Sequence, residues 1–520
     1  MDNIRIKGLR SLVDTNVVEI KPINILVGTN SSGKSTFLRV FPLLRQSVER
    51  KTRGPILWNG VYTDFESFLT SLHSEASTNG NEQIEFSFTF NFYNKLSFNN
   101  KNSNRENPIS INTTLSIVKG TTKNSCYTNI YKVDLFGHLI TFQFEEDGTI
   151  IAINSERLKW DLKKADLQYQ RTNTDSLLPI IKYPDFLYFT ANKQKDSISK
   201  LLYEHIINLI KEHSGSTSET KINRFASLLV SEFADDKSKL AKMKKMRSTT
   251  KWNELVDTEW KENASDFSFL AGLIDLFMVI ENSASINVQF SELLRSVRYI
   301  APLRASTERY YRYQDLSIHE LEHTGSNIGI FLSNITKKWR HQLDEWTESN
   351  FNFIIKDKVT SGHISLKLEH SSSKKSDNIA DMGFGYSQVL PIIIQLWAVA
   401  SGYEASLQEI SKPKKTVLFV IEQPELHLHP KMQASLAKVF SESIKLGGEN
   451  GIDLRLVIET HSPALISKFG DMIALSEMDK DIISILMFEQ NRSTRCTTLR
   501  ESKFDSDGEL NNWPADFFAY

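Results

Sequence analysis

"INILVGTNSSGKSTFLRV", residues 23–40, is the stretch that decides the fold. It begins as an apolar run, passes through a glycine-bounded turn and leaves with helical periodicity. Its centre, "GTNSSGKS" at 28–35, fits G-x-x-x-x-G-K-[ST]. The strand expected over 23–27 and the helix expected after it are the context that a phosphate-binding loop requires. Gly28 and Gly33 let backbone N–H groups turn inward around phosphate oxygens. Asn30, Ser31 and Ser32 form the rim between them, and Thr36 lies in the first helical turn, whose partial positive charge favours an anion. Lys34 is placed to reach the β/γ-phosphates, and Ser35 to ligate Mg²⁺.

Outward from this loop, "IRIKGLRSL" and "NVVEIKPINILVG" read as strands of an α/β core. Residues 80–155 change character. "QIEFSFTFNFY", "ISINTTLSIV", "HLITFQFEED" and "TIIAINSE" alternate in period two between polar linkers, which predicts an antiparallel meander. Residues 195–295 are helical and charged, and "SVRYIAPLRAS" returns as a strand. A polar loop at 371–378 is followed by a helix near 386–401, a strand at 416–421, a helix near 430–445 and a strand at 454–460. Strands alternating with helices predict a largely parallel sheet. The division expected is 1–80 for the N-terminal part of the α/β head, 81–160 for a β-rich insertion, 161–295 for a helical insertion and 296–520 for the rest of the head.

Composition narrows the class. The 520 residues are 40% hydrophobic and 24% charged, enough for a packed core. Lys+Arg is 62 and Asp+Glu is 63, so any basic surface is local. The two cysteines, Cys126 and Cys496, offer no disulfide framework or zinc spacing. The apolar stretches 267–280 and 389–400 fall short of the roughly 20 residues that span a bilayer. A cytoplasmic protein with no membrane partner is the expectation.

Later motifs supply the rest of a site. "DMGFGYSQVL", 381–390, puts Gly383, Gly385 and Ser387 at a helix start, either a second phosphate nest or a plain turn. "VLFVIEQPELHLHP", 417–430, delivers Glu422 to the end of an apolar strand, placed to hold Mg²⁺. "ETHS", 459–462, follows another strand and places His461 to hydrogen-bond a γ-phosphate oxygen. Glu425 reads as a substitute acid or as a cap of the next helix. His427 and His429 read as a dimer contact or a metal pair. Arg304 reads as a core bond or a site residue, and Trp513 and Phe517 as core or docking anchors. Seven basic residues within 237–251, with Lys237, Lys244, Arg247 and Lys251 on one helical face, read as a phosphate-backbone contact or a solvated face.

In this order the motifs resemble the ATP-binding-cassette ATPases, in the soluble branch that holds SMC proteins and overcoming-lysogenisation-defect ATPases. The resemblance rests on "LVGTNSSGKSTFLR", "GFGYSQVLP", "VIEQPELHLHP" and "ETHSP". It implies an ABC-type ATPase head that binds ATP and Mg²⁺ and dimerises head to tail. Gly28–Ser35 would be the Walker A loop, residues 383–388 the signature, Glu422 the Walker B acid, His429 a D-loop residue and His461 the switch histidine. "GPILWNGVYTDFESF", "YIAPLR" and the tail "FDSDGELNNWPADFF" further resemble the ATPase subunit family (PtuA) of Septu and retron-associated anti-phage systems. That likeness implies a separate HNH nuclease subunit (PtuB-like) as partner, with nucleic acid or a retron reverse transcriptase carrying its RNA–DNA as further ones. The tail after His461 is shorter than the Toprim metal-nuclease domain that overcoming-lysogenisation-defect nucleases place there, so nuclease activity in the same chain is not expected.

Gln423 takes the position where such ATPases place a catalytic glutamate. A carboxamide orients water but cannot take its proton. Slow hydrolysis is therefore expected. The alternatives are an SMC-like nucleic-acid-binding ATPase of DNA repair or maintenance and an ATP-binding scaffold without turnover.

Overall fold

The computed structural model describes residues 1–73, 82–93, 108–122, 124–158, 176–181, 198–302, 304, 308–316, 318–370, 376–382, 384–407, 415–491 and 493–513. The fold is mixed α/β. It divides into two compact units, each assembled from separate stretches of chain. Met1–Leu9, Ser47–Asn59 and Phe65–Glu292 form the first; Arg10–Gln46, Gly60–Asp64 and Leu293–Tyr520 form the second.

In the first unit, strand Gln83–Phe92 buries Ile84, Phe86, Phe88, Phe90 and Phe92, one residue in two. That period puts all five on one face of a pleated strand. The strand pairs antiparallel with Asn3–Leu9 on one side and Ile109–Lys119 on the other. Cys126–Leu135, His138–Phe144 and Ile150–Ser155 continue the antiparallel order. The expected meander is present, and the N-terminal strand adds to its edge.

Against this sheet lies the helix Ser265–Arg295, with the Phe290 ring 4.9 Å from that of Phe88 and 4.7 Å from that of Phe90. The apolar stretch 267–280 belongs to this helix of 31 residues, which is longer than its greasiest segment suggested. Among the described residues it is the one helix long and apolar enough to cross a membrane, and 72% of its most apolar window is buried inside the protein. Asp275 interrupts the stretch for a reason: it is buried against Lys239 at 2.6 Å and His138 at 2.9 Å. A buried carboxylate needs such partners.

The second unit is built on a parallel sheet. Its order is Arg298–Ile300, Lys415–Glu422, Ile452–Glu459, Ile23–Gly28 and Ile483–Gln490. Thr497–Phe504 then runs antiparallel and carries Leu12–Asp14 and Leu510–Asn511. All six residues of Ile23–Gly28 are buried, as a strand covered on both faces requires. Val389, Leu436, Phe440, Leu465 and Phe469, from the helices Phe384–Ala400, Pro430–Glu449 and Pro463–Ala474, fill the core beside Ile25, Phe419 and Ile458.

A second, antiparallel sheet of Tyr311–Arg312, Phe353–Thr360, His363–His370 and Ser376–Asn378 packs with helices Ile328–Asn334 and Lys337–Phe351. It corrects the reading of 371–378 as loop: Ser376–Asn378 hydrogen-bonds to His363–His370, and 371–375 lie outside the described residues. Its short polar edge carries no periodicity of its own, so only pairing with a neighbour reveals it.

Candidate nucleotide-binding site

The parallel register brings three strand ends to one edge. Leu26 stands beside Glu459, and Glu459 beside Glu422. The loop after Gly28 then wraps into the helix Lys34–Glu49. A Cβ on Gly28 would lie 2.4 Å from the Phe488 carbonyl oxygen, and Gly33 has φ +94°, so both glycines are sterically required. A cleft of about 200 Å³ is lined by Ser11, residues 30–36, Gln423, Glu459 and His461. All of these belong to the second unit.

Within the cleft Lys34 is buried, and its ammonium donates to the carbonyls of Gly28 at 2.9 Å and Thr29 at 2.8 Å. Burial lowers its pKa, while Glu459 and Glu425 act to raise it. Ser35 Oγ donates to Glu459 Oε1 at 2.9 Å. Ser31 holds φ +64° and Gln423 φ +43°, both left-handed conformations costly for residues with a side chain. Gln423 is anchored there by its N–H, which donates to the Glu459 carbonyl at 2.8 Å. His461 has its pKa lowered by burial and by Lys34. The ring is therefore biased to the neutral form, with one N–H to donate.

Glu422 does not line the cleft. Arg39 grips its carboxylate with both Nε (2.8 Å) and Nη2 (2.7 Å), and the Tyr299 hydroxyl donates to Oε1 at 2.7 Å. Such a bidentate, charge-assisted pair compensates a carboxylate that is only 2% exposed. The side-chain hydrogen bond to Glu422 drives the Arg39 pKa upward, and burial drives that of Tyr299 upward. Arg304 is buried and donates to the Glu422 carbonyl at 2.9 Å, the core bond rather than the site contact. Burial draws its pKa down to about 10.

The remaining motif residues fall into place around the cleft. His429 caps the helix Pro430–Glu449 by accepting from the Lys431 N–H at 3.3 Å. The cap assigned to Glu425 is therefore His429; Glu425 instead accepts the His461 N–H at 2.6 Å. Ser462 Oγ donates to Gln433 at 2.6 Å, and Gln433 in turn donates to the Leu428 carbonyl at 2.9 Å, tying the loop before Pro430 to the residue after His461. Gly385 and Ser387 lie outside the cleft lining. Ser387 is buried, and a Cβ on Gly385 would stand 3.2 Å from the His427 carbonyl oxygen. Gly383 and Phe517 lie outside the described residues.

Two residues were given no role by the motifs: Arg39, and Glu459, which opens "ETHS" without a function of its own there. Arg39 sits one helical turn past Ser35, and Glu459 two residues before His461, spacings that only the folded edge explains. The basic run also changes meaning. The helix ends at Lys245, so Arg247 and Lys251 do not share a face with Lys237 and Lys244. Lys239 is paired with Asp275, Lys242 with Glu232 and Arg247 with Asp257.

The family comparison gives the class. A family model described as the AAA ATPase domain matches residues 1–466, and the chain belongs to that family. The SMC head domain from Thermotoga maritima, a solved structure, is similar at 8% identity over 96% of this chain and 97% of its own, with a TM-score of 0.30. The comparison with curated proteins finds no match.

Burial raises the Glu425 pKa above its usual 4.5. The folded state then binds that proton more tightly than the unfolded chain. The resulting stability is fully present below the unfolded value and is lost as pH rises through the raised folded one. Glu425→Gln keeps an acceptor for His461 and removes the titration. Its melting temperature should fall less than wild type across that window; parallel melting curves would contradict the assignment.

Proposed function

We propose that this chain binds ATP with Mg²⁺, hydrolyses it slowly, and uses the ATP-held state to control a separate effector nuclease in anti-phage defence. The observation that carries the reading is the shared cleft of Lys34, Ser35, Gln423 and His461. Lys34 exchanges two carbonyls of its own loop for phosphate oxygens. Loop N–H groups and the helix start surround the same oxygens. His461 donates to a γ-phosphate oxygen. Gln423 accepts a hydrogen bond from the attacking water and orients it without removing its proton. A loose phosphoryl-transfer transition state needs little more, so turnover is slow rather than absent.

The residues fit Mg²⁺. The Ser35 hydroxyl stands beside a buried carboxylate whose second oxygen has no hydrogen-bond partner among the described residues. A bound Mg²⁺ would neutralise phosphate charge, with Ser35 and an acid at a neighbouring strand end holding it.

The head-to-tail dimer, in which each signature would face the partner's nucleotide, rests on the sequence resemblance alone; Ser387 is buried within its own chain. The defence role rests on the Septu-like sequence blocks, which also propose a cytoplasmic assembly with an HNH subunit, and nucleic acid or a retron complex beyond it. The nucleic-acid-binding maintenance reading would need the basic run, of which Lys239, Lys242 and Arg247 are held in ion pairs.

Three measurements test this. Lys34→Ala should abolish most ATP binding and turnover, read by equilibrium binding and phosphate release; wild-type behaviour in the variant removes the loop assignment. In single-turnover assays, Gln423→Glu should hydrolyse ATP faster, because a proton acceptor then stands at the water. If neither protein turns over, the chain is a scaffold. Affinity purification with the neighbouring genes expressed should bring down an HNH protein in an ATP-dependent manner, and its absence under both conditions sinks the effector reading.

A further inference from the structure

Two acids end adjacent strands at the same level, yet their surroundings differ. Glu422 and Glu459 are direct neighbours in the parallel register. Arg39 and Tyr299 together supply three hydrogen bonds to Glu422, occupying both of its oxygens. Glu459 is 3% exposed and lines the cleft. Its Oε1 accepts from Ser35, and its Oε2 has no hydrogen-bond partner among the described residues. A buried carboxylate oxygen without a donor is costly unless a cation or its water completes it.

We propose that Glu459, not Glu422, is the carboxylate that works with Ser35 to hold Mg²⁺ at the nucleotide, and that Glu422 is a positioning residue. This rests on the nucleotide reading above. A P-loop hydroxyl and an acid that hold one metal between them are the recurring arrangement of this chemistry. Here the acid bonded to that hydroxyl comes from the strand next to the P-loop strand. The same residue's carbonyl accepts the Gln423 N–H, so Glu459 also fixes the residue that orients water. Glu422 has another task. With Arg39 and Tyr299 it ties the first helix to strands Lys415–Glu422 and Arg298–Ile300, holding the edge on which Ser35 stands.

The test titrates a fluorescent ATP analogue onto the full chain in EDTA, then adds Mg²⁺ to the complex. Glu459→Gln should still bind the analogue in EDTA, while its Mg²⁺ affinity falls about 10- to 100-fold relative to wild type, the usual loss for a supporting group of a metal site. Ser35→Ala should show the same loss, and the double variant little more, because the two side chains act as one pair. Glu422→Gln should keep the Mg²⁺ response and lose thermal stability instead. If Glu459→Gln does not fold, Glu459→Asp retains the charge, retracts it by one methylene and should show a partial loss. A wild-type Mg²⁺ response in either folded Glu459 variant overturns the assignment. So does an equal loss in Glu422→Gln, which would make the two acids a joint site. Failure of the wild type to bind the analogue even in EDTA would remove the nucleotide reading itself, and the assignment with it.

Discussion

The parallel pairing of Ile23–Gly28 between Ile452–Glu459 and Ile483–Gln490 sets everything else at the site. A slip of one residue would turn each side chain to the opposite face. With Leu26 opposite Glu459 and Gly28 opposite Phe488, the loop leaves the sheet where Glu459 ends its strand. The approach to Phe488 leaves no room for a Cβ at Gly28. Backbone contact and chemical function are thus specified by the same residue.

Charge compensation is the second constraint. Glu422, Glu425 and Glu459 are all buried near one edge, with Lys34 and Arg304 buried beside them. Each charge must be met locally, since isolated buried charge is among the most costly features a fold can contain. Arg39 meets Glu422, the His461 backbone meets Glu425, and Ser35 meets half of Glu459. The Arg304 Nε and Nη1 atoms have no hydrogen-bond partner among the described residues. At the cleft itself the unmet atom is Glu459 Oε2, which has no hydrogen-bond partner among the described residues.

Two of the cleft residues also carry backbone strain. Ser31 and Gln423 both adopt left-handed conformations, each at an expense of about 1–3 kcal/mol. At Gln423 the conformation turns the chain sharply after the strand, so that the side chain lines the cleft while the preceding Glu422 points to Arg39. The consecutive residues of "EQ" thus meet different surroundings, Glu422 the Arg39 guanidinium and Gln423 the cleft.

The loop GTNSSGKS, the alternating meander and the parallel core strands were legible because local rules specify them: glycine spacing, period-two burial and apolar runs read the same in any context. His461 and Gln423 were legible by position after a strand. The four-stranded second sheet was not, because its short edge pieces acquire their shape only from partners. Nor were Arg39 and Glu459, since neither spacing nor residue type marks an acid whose importance comes from a neighbour 424 positions away. The sequence by itself determined that there is a phosphate loop and that Glu422 ends an apolar strand. Only the tertiary structure decided which acid faces the cleft, because that depends on which carboxylate already has its charge met by an arginine from the first helix.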